Sequence, residues 1–372
     1  MYKKLFVKIK QNEKIAIYGT NKTAENIYEQ IAKLRPDIQI CFFISSKKDN
    51  RMLKGLNIYS LEELEDKIST IDNVIIASYS ARHLLKLAIQ TFGIKKPILI
   101  NKKMIISEKT INNKPDIDLL NKSLKIFKNY KDKNLYNFIA KARSNRKKYI
   151  DKIKKRFNSK YKNIIEIYPI EHYFEFINKN AIKTVIDGGA YDGLHSVMFT
   201  QEFPNCQKVY MFEPSYNAFK NNLIDFLIQK DQRISLIEKA LWNESKILEF
   251  REEFECKTGS SIVEVKPNIK RPSKIIKIPA LKIDDFVQKI EEKIDFIKLD
   301  IENAELQALE GAINTIKKDR PQLAVSIYHS DDQFYNVPLF LYNNLDNYVY
   351  HVGHYSDSYV ETVLYAIPKE LT

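Results

Sequence analysis

Glycine is scarce in this chain, with nine in 372 residues, and so are cysteine, with three, and tryptophan, with one. Cys41, Cys206 and Cys256 lie far apart. Their spacing fits neither a disulfide framework nor a thiolate metal site, and it suits a reducing compartment. No apolar run reaches the roughly 18 residues of a membrane span. The opening Met1-Tyr-Lys-Lys-Leu-Phe-Val-Lys lacks the continuous apolar stretch of a signal peptide. Internal repeats and low-complexity tails are also missing. A cytoplasmic globular protein is expected, long enough for two domains and a connector.

What the chain has in excess is positive charge, and that excess is local. The net charge is +13, and the window Lys141 to Lys162 holds eleven Lys or Arg against one acid, Asp151. A basic balance confined to one segment does not indicate a nucleic-acid-binding protein. Leu135, Ile139, Ala142, Tyr149, Ile150, Ile153 and Phe157 keep an apolar stripe through this region, interrupted by Arg146. The lysines cover the other face, which is expected to be solvated, with contact to an anionic membrane surface or a phosphate-bearing substrate as the alternatives.

Residues 1–110 alternate strand and helix signals, as in a small parallel sheet. Strands are expected at 14–19, 39–44, 73–77 and 97–100, and a helix at 23–34. Ser60-Leu-Glu-Glu63 opens like a capped helix. The first turn has Gly19 alone, followed by Thr20, Asn21 and Lys22, which departs from a dinucleotide fingerprint. A Rossmann-like domain over 1–110, a helical basic connector over 111–182 and a second α/β domain over 183–372 are therefore predicted.

With glycine so rare, its clustering is informative. Three of the nine fall in Thr184-Val-Ile-Asp-Gly-Gly-Ala-Tyr-Asp-Gly193. Apolar β-formers running into Asp187 and then a glycine turn read as a buried strand, a tight turn and a helix start. Ligands of open α/β sheets sit at such strand ends. Glu213 closes the next strand, Lys208-Val-Tyr-Met-Phe, 26 residues after Asp187. That distance fits one β-α-β unit, and an acid there can accept both hydroxyls of a ribose.

A ribose belongs to dinucleotides and to S-adenosylmethionine (SAM) alike. Gly188, Gly189 and Gly193 do not match the G-x-G-x-x-G pyrophosphate turn, and Asp187 directly before them suits a cationic ligand end. These features favour SAM over a nicotinamide cofactor. Further along, Leu299-Asp-Ile-Glu-Asn-Ala-Glu305 puts three acids at one strand end and helix start, where helix capping alone explains Glu305 better than Asp300. His329 ends the next strand, Gln322 to His329, at the same sheet edge. Tyr328, Tyr335 and Tyr355 are candidate stacking platforms for a sugar. A helix is expected over Glu305 to Ile316, and another over Leu339 to Leu345 with Pro338 near its first turn.

Asp187-Gly-Gly-Ala-Tyr-Asp-Gly, Phe212-Glu-Pro, Gly259-Ser-Ser, Ile283-Asp-Asp, Ile297-Lys-Leu-Asp-Ile-Glu-Asn-Ala-Glu, Arg320-Pro, Ser326-Ile-Tyr-His and Glu361-Thr-Val-Leu-Tyr-Ala occur in order. Over residues 165–372 the chain thereby resembles the FkbM-type SAM-dependent methyltransferases. Asn303 stands where the family's run has glycine, a replacement that a left-handed backbone tolerates. The resemblance implies a class I methyltransferase sheet, SAM as cofactor, and O-methylation of a hydroxyl on a sugar-containing acceptor such as a glycan precursor.

Asp187, Gly188, Gly189, Tyr191, Glu213, Ala240 and Asp300 are then the expected cofactor contacts. Asp300, Glu302 and His329 are the candidate general bases, and no metal ligands are assigned. A non-catalytic nucleotide-binding scaffold is the alternative, and an NAD-dependent sugar-nucleotide oxidoreductase a weaker one.

Overall fold

The computed structural model describes residues 9–20, 22–45, 51–64, 66–77, 98–99, 116–160, 172–219, 222–253, 260–265, 273–356 and 358–372. Pro97, Ile100, Gly259 and the expected boundary at 110 lie outside them, as do the first residues of the region of resemblance. The chain divides into two compact units. One is Met1–Ile105 with Asn163–Ile167 and Asn221–Leu227, and the other comprises Ile106–Lys162, Tyr168–Lys220 and Ile228–Thr372.

In the first unit, strands β1 (Lys14–Tyr18), β2 (Gln39–Ser45), β3 (Met52–Leu53), β4 (Leu56–Ser60), β5 (Asn73–Ile76) and β6 (Ile98–Leu99) form one sheet in the order β3-β4-β2-β1-β5-β6. All pairings are parallel except that of β3 with β4. The helix Lys22–Leu34 carries Ala24, Ile27 and Ile31 at helical spacing, and all three are buried with Ile15, Ile17, Phe43 and Ile75. The capped start at Ser60 is present: Glu63 N donates to Ser60 Oγ at 3.3 Å and Ser60 N to Glu63 Oε2 at 2.8 Å. The short β3–β4 hairpin was not expected, because its two-residue first strand carries no alternation to read.

The second unit is built on seven strands. They are β7 (Thr184–Gly188), β8 (Lys208–Phe212), β9 (Ile234–Ile237), β14 (Phe296–Leu299), β15 (Gln322–Ser326), β16 (Tyr348–His354) and β17 (Thr362–Pro368). Between β9 and β14 the chain forms β10 (Ala240–Leu241), β11 (Ile247–Glu253), β12 (Ser261–Ile262) and β13 (Ser273–Leu281), which make a separate sheet ordered β10-β13-β11-β12. The main sheet runs β16-β17-β15-β14-β7-β8-β9, parallel except that β17 pairs antiparallel with both neighbours. This is the class I arrangement implied by the resemblance. It puts β7 and β14 side by side at the centre, with the loop after Gly188 beside Asp300.

Three sequence expectations change in detail. Ile234 to Trp242 reads in sequence as one strand, but it breaks at the polar pair Glu238-Lys239, and Ala240 and Leu241 pair with β13 instead. The helix from Glu305 is two helices, Glu305–Glu310 and Ile313–Asp319. Gly311 separates them, and a Cβ there would lie 2.1 Å from Trp242 O. The helix expected over 339–345 begins earlier, at Asp331, capped by Ser330 Oγ, so Pro338 sits inside it. Proline cannot donate to the carbonyl four residues back, and Phe334 O accepts from Tyr136 Oη at 2.6 Å instead.

The helices Ile117–Leu124 and Tyr130–Ser144 bury Leu120, Leu135, Tyr136, Ile139 and Ala140 in the same core as Ile186, Leu299, Val325 and Phe334. The apolar side of the expected connector thus completes the core of the second unit. Tyr136 stacks on Phe334 with ring centroids 4.4 Å apart.

Candidate active site

The glycine loop after β7 is held from beneath. Lys298 is the one charged residue of β14, and its side chain is 1% exposed. Its Nζ lies 2.9 Å from Asp187 Oδ1 and donates to Gly188 O at 3.0 Å and Gly189 O at 2.8 Å. The other carboxylate oxygen of Asp187 accepts from Ser196 Oγ at 2.7 Å. Asp187 has no exposed surface. The expected direct contact with a cationic ligand end is therefore not what this carboxylate makes: it braces the loop.

Gly188 packs against Leu299 and Leu241, so it too is a packing position. Gly189 has φ +73°, and a Cβ on it would fall 1.9 Å from Asp300 O. Only glycine allows that crossing of two strand ends.

Glu213 links the ends of β7 and β8. Its Oε2 accepts from Tyr191 N at 3.0 Å and its Oε1 from Ser215 N at 3.0 Å. Burial pushes its carboxyl up to about 7, against the pull of those two N–H groups and of Lys298. Each oxygen keeps a lone pair, which suits two vicinal hydroxyl donors. Ala240 lies at 6% exposure among Trp242, Leu248, Phe250 and Ala304, in the apolar cluster that also receives Tyr191.

Across the loop, the ends of β14 and β15 gather an acidic cluster around one imidazole. His329 Nε2 is 3.3 Å from Asp300 Oδ1 and 3.4 Å from Glu302 Oε1, while its Nδ1 is 2.9 Å from Glu305 Oε1. Burial alone would discharge His329, but Glu302 and Glu305 outweigh it and hold the ring well above its ordinary pKa. A charged imidazole has no lone pair for a proton. His329, expected as a general base, is not one in this state.

Burial pushes Asp300 up, yet His329, Lys298 and the Tyr173 hydroxyl together hold it down to about 2. It is a carboxylate at any working pH and a weak base. Tyr173 Oη donates to Asp300 Oδ2 at 2.7 Å, and Tyr328 Oη donates to Oδ1 at 3.3 Å. Of the three tyrosines expected as platforms, only Tyr328 borders the cluster; Tyr335 and Tyr355 are 5% and 0% exposed.

Several contributors escaped the sequence reading. Lys298 was visible as a charge inside a buried run, Phe-Ile-Lys-Leu, but it suggested no partner. Tyr173 and His172 lie before β7 with no periodic signal. Their rings stack at 3.9 Å, and His172 Nε2 is 3.4 Å from Glu361 Oε2. Burial, with Asp300 adding to it, pushes Glu361 up to about 8. Backbone strain marks the same place: Tyr173, Tyr191, Glu302, Asn303 and Glu361 have φ of +67°, +55°, +54°, +83° and +61°.

A predominantly parallel sheet with an acid-lined cluster at its carboxyl edge is the architecture of a class I methyltransferase. Two family models match the chain: residues 187–352 match the methyltransferase FkbM domain, and residues 11–113 the C2185-like N-terminal domain. Residues 187–352, a little under half of the chain, thus match an FkbM-type methyltransferase domain.

Among solved structures, the methyltransferase FkbM from Methylobacillus flagellatus KT is similar over 98% of this chain and 92% of its own, at 14% identity and a TM-score of 0.50. At that identity the likeness concerns the fold. UDP-D-quinovosamine 4-dehydrogenase from Vibrio fischeri is 22% identical over 24% of this chain and 75% of its own, with a TM-score of 0.21. A putative O-methyltransferase from Klebsiella pneumoniae is 10% identical over 59% and 89%, with a TM-score of 0.34. No curated protein sequence matches the chain. Among the described residues, no helix is long and apolar enough to cross a membrane.

Proposed function

We propose that the chain transfers a methyl group from SAM to a hydroxyl of a sugar-containing acceptor, a surface glycan or its precursor. The observation behind this reading is the placement of Asp300 and Glu302 after β14, beside the glycine loop, with Glu213 after β8 at the same sheet edge on the other side of β7. When bound, SAM supplies an electrophilic methyl on a sulfonium.

Glu213 would hold the ribose hydroxyls, Tyr191 and Ala240 would border the adenosine, and the loop at Gly189 would admit the methionine part. Asp300, ionised throughout, would favour a cationic ligand end, the role first assigned to Asp187. Sugar hydroxyls donate readily to carboxylates, and the Tyr328 ring, tilted against His329 at 4.1 Å between centroids, borders them.

Methyl transfer to oxygen forms an O–C bond, breaks an S–C bond and releases one proton. Glu302 is the candidate to receive it, since its side chain is 24% exposed while Glu305 is fully buried. Holding the acceptor oxygen in line with the methyl supplies much of the remaining rate.

The test is to incubate the chain with methyl-labelled SAM and a panel of sugar acceptors, and to locate the label by NMR. A base-stable methyl ether on a sugar oxygen is the expected product. Label found only on nitrogen, or only as a methyl ester, would exclude the acceptor chemistry proposed.

A further inference from the structure

We propose that Asp300, Glu305 and His329 form a binding site for a divalent cation. Ligand atoms of the three residues all lie within 4.8 Å of one another. One ion with bonds of about 2.1 Å holds opposed ligands about 4.2 Å apart, so small side-chain adjustments close the set. The backbone builds this proximity. Asp300 follows β14 directly, Glu305 opens the helix Glu305–Glu310, and the left-handed residues Glu302 and Asn303 turn the chain between them. His329 follows the neighbouring strand β15.

A second observation points to a ligand. Glu305 is fully buried, and its Oε2 has no hydrogen-bond partner, while Oε1 accepts from Ile301 N at 2.9 Å. The His329 side chain is 3% exposed, and neither ring nitrogen makes a hydrogen bond of good geometry, although carboxylates stand at 2.9 and 3.3 Å. Buried polar atoms are rarely left in this condition. A cation among them would displace the proton that the carboxylates otherwise hold on His329, freeing a ring lone pair to bind it, and would neutralise the bare Glu305 carboxylate oxygen.

One imidazole with two carboxylates is a mixed donor set. It suits Mn²⁺, Fe²⁺ or Zn²⁺ better than the all-oxygen preference of Ca²⁺. Glu302, whose Oε1 also faces His329, lies at the rim.

What the cation would do rests on the methyltransferase reading; whether it binds does not. In that reading it polarises the acceptor hydroxyl. The O–H proton passes to Glu302, and the oxygen bonds to the methyl carbon as the carbon–sulfur bond breaks, leaving a neutral thioether.

The experiment strips the full chain with a chelator and titrates it with Mn²⁺, reading free Mn²⁺ by electron paramagnetic resonance. One equivalent should bind. Glu305→Gln and His329→Gln should each weaken binding at least about tenfold, the lower end of what losing even an outer partner costs. Should either variant fail to fold, pulsed resonance on the parent protein decides: nitrogen coupling from a coordinated imidazole is expected. No stoichiometric binding, binding unchanged in folded variants, or bound Mn²⁺ without nitrogen coupling would each overturn the cation site.

Calorimetry with SAM on the same metal-free sample separates the two proposals. SAM binding without Mn²⁺ binding removes the cation and keeps the methyltransferase. Mn²⁺ binding lost in both variants, with no SAM binding, keeps the cation and removes the cofactor assignment.

Discussion

If Glu213 holds the ribose, SAM binding must expel a proton. Its carboxyl sits at about 7 in the free chain because it is buried, at 5% exposure, and receives only two backbone N–H groups in return. Two ribose hydroxyls donating to it would stabilise the ionised form. With that pKa of about 7, the free chain carries about 0.8 proton on Glu213 at pH 6.5 and about 0.1 at pH 8. Binding at pH 6.5 should therefore release most of one proton more in the parent than in Glu213→Gln. Below pH 7 the parent's affinity should fall by about tenfold per unit, until the bound-state pKa is reached.

The assay is calorimetry in buffers of different ionisation enthalpy, with the difference from Glu213→Gln isolating this residue from titration of SAM itself. Equal proton release in parent and variant would refute the ribose assignment. The same shift has a stability side. A carboxyl whose pKa rises on folding favours the fold below about 4.5 and loses that contribution as pH climbs through about 7. The shift of roughly two and a half units corresponds to about 3 kcal/mol. Glu213→Gln should accordingly gain about that much relative to the parent between pH 4.5 and pH 8, read by urea unfolding at both. Any pH-independent cost of the amide facing a backbone N–H cancels in that comparison.

Other predictions address the remaining parts of the site. Lys298→Met leaves Asp187 charged and unpaired in the interior, so it should cost about 3–5 kcal/mol; adding Asp187→Asn should recover part of it, and chemical denaturation of the single and double variants checks this. Gly189→Ala would put a Cβ 1.9 Å from Asp300 O, so its melting temperature should drop and its SAM affinity fall, whereas normal values for both would show that the strand ends separate freely. Glu302→Gln should slow methyl transfer by about a hundred- to ten-thousandfold with little change in SAM affinity, and near-normal turnover would clear Glu302 of proton transfer. A chain starting at Asp116 should fold and bind SAM, while one starting at His172 loses Leu120, Leu135, Tyr136 and Ile139 from the core and should be insoluble or molten; circular dichroism and SAM titration of both truncations decide.

The site was legible where chemistry is local in sequence and obscure where it is not. The positions of Gly189 and Glu213 at neighbouring strand ends could be read because a glycine turn and a strand-end acid each announce themselves within a few residues. The cluster of Asp300, Glu302, Glu305 and His329 was legible as residues at one sheet edge, but their roles depend on spacing in three dimensions. Three carboxylates around a single ring reverse what a lone histidine would do, and no sequence pattern states that. Asp187 was assigned to the ligand because Lys298, its partner, lies 111 residues away on a strand that reads as apolar. Tyr173 reaches Asp300 across 127 residues. Among the fold elements, Pro338 was placed at a helix start because proline is tolerated there. The hydroxyl that compensates it mid-helix comes from Tyr136, 198 residues before Phe334.

The central claim is that the residues at the ends of β7 and β8 hold SAM. Calorimetry of the full chain with SAM, with its demethylated product S-adenosylhomocysteine and with NAD tests it most directly. SAM and S-adenosylhomocysteine should both bind with one site per chain, and Glu213→Ala should weaken both by roughly ten- to a hundredfold, from the 1.5–3 kcal/mol of hydrogen bonds to a charged acceptor. Binding of NAD with no binding of SAM, or SAM binding indifferent to Glu213→Ala in a folded variant, would contradict it.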